Sequence, residues 1–289
     1  MTPASAARTA TRGGQTAHAD WEATRRIPRA AREANAVLAV AARDITSMLK
    51  SPSGVITALL MPLLMMGMIG GTLMQNMAGG LGFDFGEFML VGMLVNMLFM
   101  MTTMRMTSLV DDADEAYSAE LLVAPVSRYA IVVGKILGSS FMALISCLGV
   151  LAVGAVMGIT LAPWQLLVFL ALAPLLCLSG GALAMIVLGT IKNNTTANAA
   201  VMLISMPQMF LAGVIIPISQ SSGLLGVLSR AMPMTYCVDL GRAVVYAGRS
   251  DYDAVVMFNP AVNLAAIAGI TVICLVMGTW LYARSEKNR

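Results

Sequence analysis

Gly134-Lys135 is the nearest this chain comes to a phosphate-binding loop, and it falls short. The first glycine of that motif is missing at the required spacing, and Ile136 stands where a Ser or Thr would meet the metal. No histidine pair, H-E-x-x-H or carboxylate cluster lies inside an apolar run, and the lone His18 sits in a polar tail. The four cysteines (Cys147, Cys177, Cys237, Cys274) show no C-x-x-C spacing, so neither a disulfide framework nor a metal knuckle is indicated. No catalytic residue, metal ligand or nucleic-acid-binding pattern is expected. The apolar runs also lack Asp and Glu at their centres, where ion-coupled carriers place their ionisable groups. Any uphill work must draw its energy from another subunit.

The polar side chains that do interrupt apolar stretches are few. Asn96 and Gln208 fall near mid-run, each expected to hydrogen-bond a neighbouring helix, with a substrate-facing role as the alternative. Pro207 beside Gln208 should bend its helix. Met93, Met97, Met100 and Met104 recur at helical spacing. Such a stripe fills gaps between helices by default, and its sharper reading is an adaptable wall for varied apolar substrates. Asp239 and Arg242, three residues apart on one helical face, are expected to pair as a clamp.

The elements that must carry these residues are read from hydrophobicity. Of 289 residues, 58% are hydrophobic and 11% charged. Six apolar runs, placed at about 54–74, 88–110, 131–158, 164–190, 197–218 and 261–283, are each long enough to cross the roughly 30 Å hydrocarbon core. The expected class is an all-α membrane protein with six transmembrane helices. All of the 18 Lys and Arg except Arg230, Arg242 and Arg249 then fall on one side, which predicts that both termini are cytoplasmic and places the chain in the cell inner (cytoplasmic) membrane. Arg105 and Lys135, near cytoplasmic span ends, can snorkel to water. Gly67 with Gly71, Gly134 with Gly138 and Gly154 with Gly158 carry the small-residue spacing of close helix packing.

Residues 1–32 read as a disordered cytoplasmic tail, and 33–289 as one transmembrane domain. Within 33–50, Val37, Leu38, Ala41, Ile45, Met48 and Leu49 share a face, predicting a helix that lies along the cytoplasmic membrane surface. Residues 223–248 are apolar but carry Arg230, Pro233, Asp239 and Arg242, and are read as helices dipping into the outer leaflet without crossing. Between the second and third runs, Asp111 to Lys135 is a polar connection holding Leu121, Leu122 and Pro125, the pattern of a docking surface for a soluble partner.

Three stretches together resemble the ABC-2 family of ATP-binding-cassette exporters, closest to bacterial drug- and antibiotic-resistance permeases. Glu120-Leu121-Leu122, Ala124-Pro125-Val126-Ser127-Arg128 and Gly134-Lys135 are similar to the family's cytoplasmic coupling segment. Phe210 to Pro217, with Gly213, resembles its break at the outer end of the fifth span, and Met232-Pro233-Met234-Thr235-Tyr236 followed by Asp239 and Arg242 resembles its outer re-entrant motif. Relatives often carry a basic residue and a glycine before the acidic position, where this chain has Asp111, Asp112, Asp114 and Glu115.

The resemblance implies a permease subunit without a cofactor of its own, worked by a separate ATPase that binds ATP and Mg. A second copy or a homologue would face it in the lipid bilayer. Glu120, Leu121, Leu122, Pro125 and Arg128 would pass the ATPase motion on. Met93, Asn96, Met97, Met100 and Gln208 would border the pathway. Gly213, Pro217, Pro233, Tyr236, Asp239 and Arg242 would shape the outer exit. The implied cargo is a lipophilic drug, antibiotic or lipid-like molecule. The alternatives are a polysaccharide or teichoic-acid intermediate, or a membrane scaffold with no transport activity.

Overall fold

A run of about 20 apolar residues satisfies its own backbone only as a helix when water is absent, and helices account for the chain. The computed structural model describes residues 29–77, 83–109, 127–191, 193–218 and 223–287, and no strand occurs among them. In chain order, α1 (Arg29–Leu49) leads into α2 (Pro52–Leu64), which continues through a π-helical stretch, Met65–Gly70, into α3 (Gly71–Met77). Then come α4 (Phe85–Arg105), α5 (Arg128–Val156), α6 (Pro163–Leu188), α7 (Asn194–Leu211), α8 (Gly223–Ala231), α9 (Pro233–Val245), α10 (Tyr252–Val255) and α11 (Pro260–Lys287).

Five helical stretches are long and apolar enough to cross a membrane: Pro52–Leu73, Phe85–Arg105, Tyr129–Val156, Pro163–Leu188 and Tyr252–Tyr282. They match five of the six expected runs. The remaining one, expected at 197–218, corresponds to α7, which is 18 residues long and opens on the polar sequence Asn194-Thr195-Thr196. Its polar first turn and the interior Pro207 and Gln208 keep α7 out of the group of five. Helices α8 and α9 have 9 and 13 residues. At 1.5 Å per residue neither reaches across the hydrocarbon core.

The bundle is built around α4. In α4, 83% of the most apolar stretch is buried, against 22% in the first span. Helices α5, α6 and α9 pack directly on α4, and α11 packs on α6 and α9. A Cβ on Gly92 would stand 2.5 Å from the Val214 carbonyl oxygen, so only glycine lets α4 touch the turn that ends α7. That turn begins at Ala212, with Gly213 in the left-handed region (φ 71°) where other side chains are strained.

The small-residue pairs divide. Cβ atoms at Gly134 and Gly138 would collide with Val37, Val40 and Asp44, so this pair is the seat of α1 on α5. Gly67 and Gly71 meet nothing within 4 Å, so the close packing expected there does not occur within the chain. Gly154 abuts Leu90 as expected, whereas Gly158 (φ 79°) serves the turn after α5.

The face of α1 that meets the bundle carries an acid. Val40, Ala41 and Met48 face the bundle, but so does Asp44, while Leu38 and Leu49 are exposed. The helix is rotated toward its acid because that acid has a buried partner on α5.

Candidate functional site

The α1 end of the bundle, its inner end in the orientation expected from the sequence and opposite to the one expected to be outer, is organised by two carboxylates of α1. The Lys135 ammonium donates to Asp44 Oδ1 at 2.8 Å, with both side chains about 5% exposed. Lys135 therefore does not snorkel to water as expected. Its fourth-carbon reach points into the α1–α5 seam, where a carboxylate matches it. Asp44 itself packs on Gly138, one turn along α5 from Lys135, so the ion pair depends on the close approach of the two backbones there.

Eleven residues nearer the chain start, Glu33 holds the beginning of α5. Its carboxylate accepts from the Ser127 hydroxyl at 2.6 Å and from the Ser127 N–H at 3.3 Å. Ser127 Oγ in turn accepts from Ala130 N–H at 3.1 Å, capping α5. A carboxylate at a helix N-terminus is favoured both by the free N–H groups and by the helix dipole. The amphipathic helix and the third span are thus fastened at two points immediately after residues 110–126. Glu120, Leu121, Leu122 and Pro125 lie outside the described residues, and Arg128 is described only as the first residue of α5.

The outer end is held by Asp239 and Arg242 of α9, though not by each other. Asp239 accepts from the Met257 N–H (2.7 Å), the Phe258 N–H (2.9 Å) and Asn263 Nδ2 (2.8 Å). It therefore ties α9 to the entry of the last span. The Arg242 guanidinium donates to the Gly213 carbonyl at 2.6 Å and lies 3.5 Å from the Phe88 ring centroid. It bridges the break after α7 to the outer turn of α4, with a cation–π contact inside a dry setting. Burial pulls this guanidinium below the ordinary arginine range, and the Asp239 charge pulls it back. The expected ion-paired clamp is corrected: the two side chains attract through space, while their hydrogen bonds go to backbone groups on different elements and, for Asp239, also to the Asn263 side chain. Proximity at i and i+3 brought the charges together but could not show those backbone partners.

Around this centre the other outer residues are braces. Pro233 is buried at the start of α9. The Tyr236 hydroxyl donates to the Arg230 carbonyl at 2.7 Å, and its ring packs on Phe258 at 5.5 Å. Pro217 is half-buried at the end of the turn that Gly213 opens. Arg249, absent from the residues singled out by sequence, joins Glu87 on α4 (2.6 Å) to Asp251 (3.1 Å). Burial lowers the proton affinity of its guanidinium, but the hydrogen bonds and charges of Glu87 and Asp251 prevail and raise it.

The expected pathway residues are mostly enclosed. Met93, Met97 and Asn96 of α4 and Gln208 of α7 are buried within the chain's own bundle, and Met100 is partly buried against the same core. The carbonyl oxygens of Asn96 and Gln208 have no hydrogen-bond partner, so the expected interhelical bonds are not made through these atoms. The methionine stripe is core packing here. Replacing Met93, Met97, Met100 and Met104 together by Leu should preserve a monodisperse, fully expressed protein on size-exclusion chromatography, because Met and Leu differ little in volume. Aggregation of that variant would show that the stripe needs thioether flexibility.

What faces outward instead is α7. Ala199, Met202, Leu203, Met206, Pro207 and Phe210 line an apolar groove of about 540 Å³ on its outer surface. Sequence reasoning passed over this face, although its i, i+3, i+4 and i+7 spacing was available. Attention went to the polar Gln208, which points the other way.

Among the described residues no group of three His, Cys, Asp or Glu could hold a metal ion. The arrangement is mechanical: an inner α1–α5 fastening, an outer hub, and apolar surfaces between them. No curated protein matches the chain significantly. The family description that matches does so over residues 35–246, from the first turns of α1 through the end of α9, and includes Asp44, Lys135, Gly213, Asp239 and Arg242. On that coverage the chain belongs to the ABC-2 type transporter family.

Proposed function

We propose that this chain is the membrane-spanning permease subunit of an ATP-driven exporter, carrying a lipophilic drug, antibiotic or lipid-like molecule. The observation that carries the reading is the family match over residues 35–246, which takes in the Asp44–Lys135 pair and the Arg242–Gly213 contact rather than an isolated apolar run. A separate ATPase subunit supplies ATP hydrolysis with Mg. It engages the stretch around Glu120–Arg128, with Glu120, Leu121, Leu122, Pro125 and Arg128 as the coupling segment.

The inner fastening supports this assignment. A push on a segment that ends at Ser127 reaches α5 directly and reaches α1 through Glu33, so both helices respond together. In this reading α7 is a sixth crossing. Its 18 residues span about 27 Å at 1.5 Å per residue, and an even count returns Arg284, Lys287 and Arg289 to the cytoplasmic side with the basic N-terminal region. Two permeases, identical or homologous, face each other in the inner membrane with both termini cytoplasmic. The exposed apolar face of α7 then borders the route more directly than the enclosed Met93, Asn96, Met97 and Gln208. The outer hub, with Gly213, Pro217, Pro233, Tyr236, Asp239 and Arg242, shapes the exit. Alternating access needs two discrete packings of such a bundle, and nucleotide supplies the bias between them.

The test is co-expression with a candidate ATPase subunit, followed by efflux of lipophilic compounds from intact cells. Accumulation of at least one compound should fall, and a substitution of the ATPase phosphate-loop lysine should abolish the effect. Purified complex in lipid that shows no substrate-stimulated hydrolysis with any compound would replace this reading by a non-transporting scaffold.

A further inference from the structure

Arg105, the last residue of α4, is a cation without a counter-charge among the described residues. Three other basic side chains brought into the bundle have acceptors: Lys135 has Asp44, Arg242 the Gly213 carbonyl, Arg249 two carboxylates, while Arg32 on α1 shares with Arg105 a buried Nε that has none. Among the described residues no hydrogen bond or ion pair reaches the Arg105 guanidinium, and its Nε is fully buried without an acceptor. An arginine partly removed from water in this way has given up hydration with no replacement inside the chain.

The guanidinium borders a groove of about 350 Å³ between the start of α2, the end of α4 and the middle of α5. One part of its wall is polar. Ser51 occupies the N-cap position of α2 but does not cap it, and its hydroxyl stands 3.4 Å from the Ser53 hydroxyl. The other part is apolar, formed by Ala58, Met101 and Met142. A cation and two hydroxyls at one end with hydrocarbon at the other are complementary to an anion carrying an alkyl chain. The volume lies at the small end of ligand sites, sufficient for a headgroup and the carbons next to it. Beyond the groove, Ile56, Leu60 and Met61 leave the adjoining side of α2 exposed and apolar, a surface along which longer chains can lie. The groove sits where the first span begins and the second ends, which is the depth of lipid headgroups.

We propose that this groove binds the headgroup of an anionic phospholipid from the leaflet at the Arg105 end of the bundle. That this leaflet is the cytoplasmic one rests on the export reading above; the site itself does not.

The test uses the full chain in nanodiscs of phosphatidylcholine with one-fifth phosphatidylglycerol, released into mild detergent and weighed by native mass spectrometry. Wild type should retain one phosphatidylglycerol per chain. Arg105→Gln should lower that retention about tenfold, a change equivalent to the loss of one charged contact. Gly54→Leu should lower it equally while leaving the charge in place, since a Cβ there meets only ordinary contacts and the longer side chain fills the groove. Arg105→Lys should keep partial retention, and with Gly54→Leu it decides the matter if Arg105→Gln does not fold. Equal retention by wild type and Arg105→Gln would overturn the proposal. Loss with Arg105→Gln but not with Gly54→Leu would also overturn it, by reducing the effect to diffuse charge. Displacement of the lipid by millimolar inorganic phosphate would show an anion site indifferent to the acyl portion, and would defeat the lipid assignment. Retention is read without the ATPase, so a failed efflux assay with intact lipid retention would sink the export reading alone.

Discussion

Asp239→Ala is expected to destabilise the protein by about 3–5 kcal/mol, the cost of breaking a buried charged network by removing one member. The side chain is 2% exposed and accepts three hydrogen bonds, two of them from the backbone that leads into the last span. Its loss leaves those donors unsatisfied and strips the nearby buried Arg242 of its compensating charge. In a thermal ramp followed by fluorescence-detected size exclusion, the melting temperature should fall by on the order of 10 °C. Asp239→Asn should recover only part of this, because an amide offers a donor where one of the N–H groups needs an acceptor.

The exchange of the two charges discriminates between two accounts of the outer hub. If Asp239 and Arg242 held each other, the double variant Asp239→Arg/Arg242→Asp would restore stability. The observed partners argue otherwise, since position 239 must accept from N–H groups and position 242 must donate to the Gly213 carbonyl. The exchanged pair should be at least as unstable as either single variant. Recovery to the wild-type melting temperature would return the hub to a mutual ion pair.

This case shows where the sequence is legible and where it stops. Length and apolarity located Phe85–Arg105, Tyr129–Val156 and Pro163–Leu188 to within a few residues, because a bilayer sets the length of a crossing helix. Gly213, Pro217 and Pro233 marked breaks because their backbone preferences act locally. Partner choice is not local. The hydrogen bonds from Asp239 run 18 to 24 residues along the chain, and those joining α1 to α5 run 91 and 94. Periodicity along α1 grouped Leu38 and Leu49 with Ala41 and Met48 on one apolar face and could not anticipate that Asp44 packs against α5. The helical wheel scores a carboxylate as polar whether or not a lysine waits opposite. Met93 and Met97 were recognisable as a stripe that fills gaps between helices by default, and they lie buried; an all-apolar helix carries no signal of which neighbours it meets.

The α1–α5 fastening provides the second large effect. Lys135→Met alone leaves Asp44 buried without its cation, and Asp44→Asn alone leaves the ammonium without its carboxylate. Each should cost about 3–5 kcal/mol. Replacing both by apolar residues, Lys135→Met with Asp44→Leu, removes the charges together and should recover most of the loss, as buried ion pairs exchanged for hydrophobic contacts generally do. The seam limits how well Leu fits, because the Asp44 Cβ already lies against the Gly138 backbone. The double variant therefore also separates holding from signalling. If the ion pair serves only to hold α1 in place, the stable double variant should export as well per ATP hydrolysed as wild type. If its directional bond sets how α1 follows α5, the double variant should keep its melting temperature and still hydrolyse ATP with reduced efflux. Single variants as stable as wild type would mean that Lys135 and Asp44 are rehydrated in the membrane-bound protein, and that α1 is held by Glu33 and the apolar contacts of Val40, Ala41 and Met48 alone.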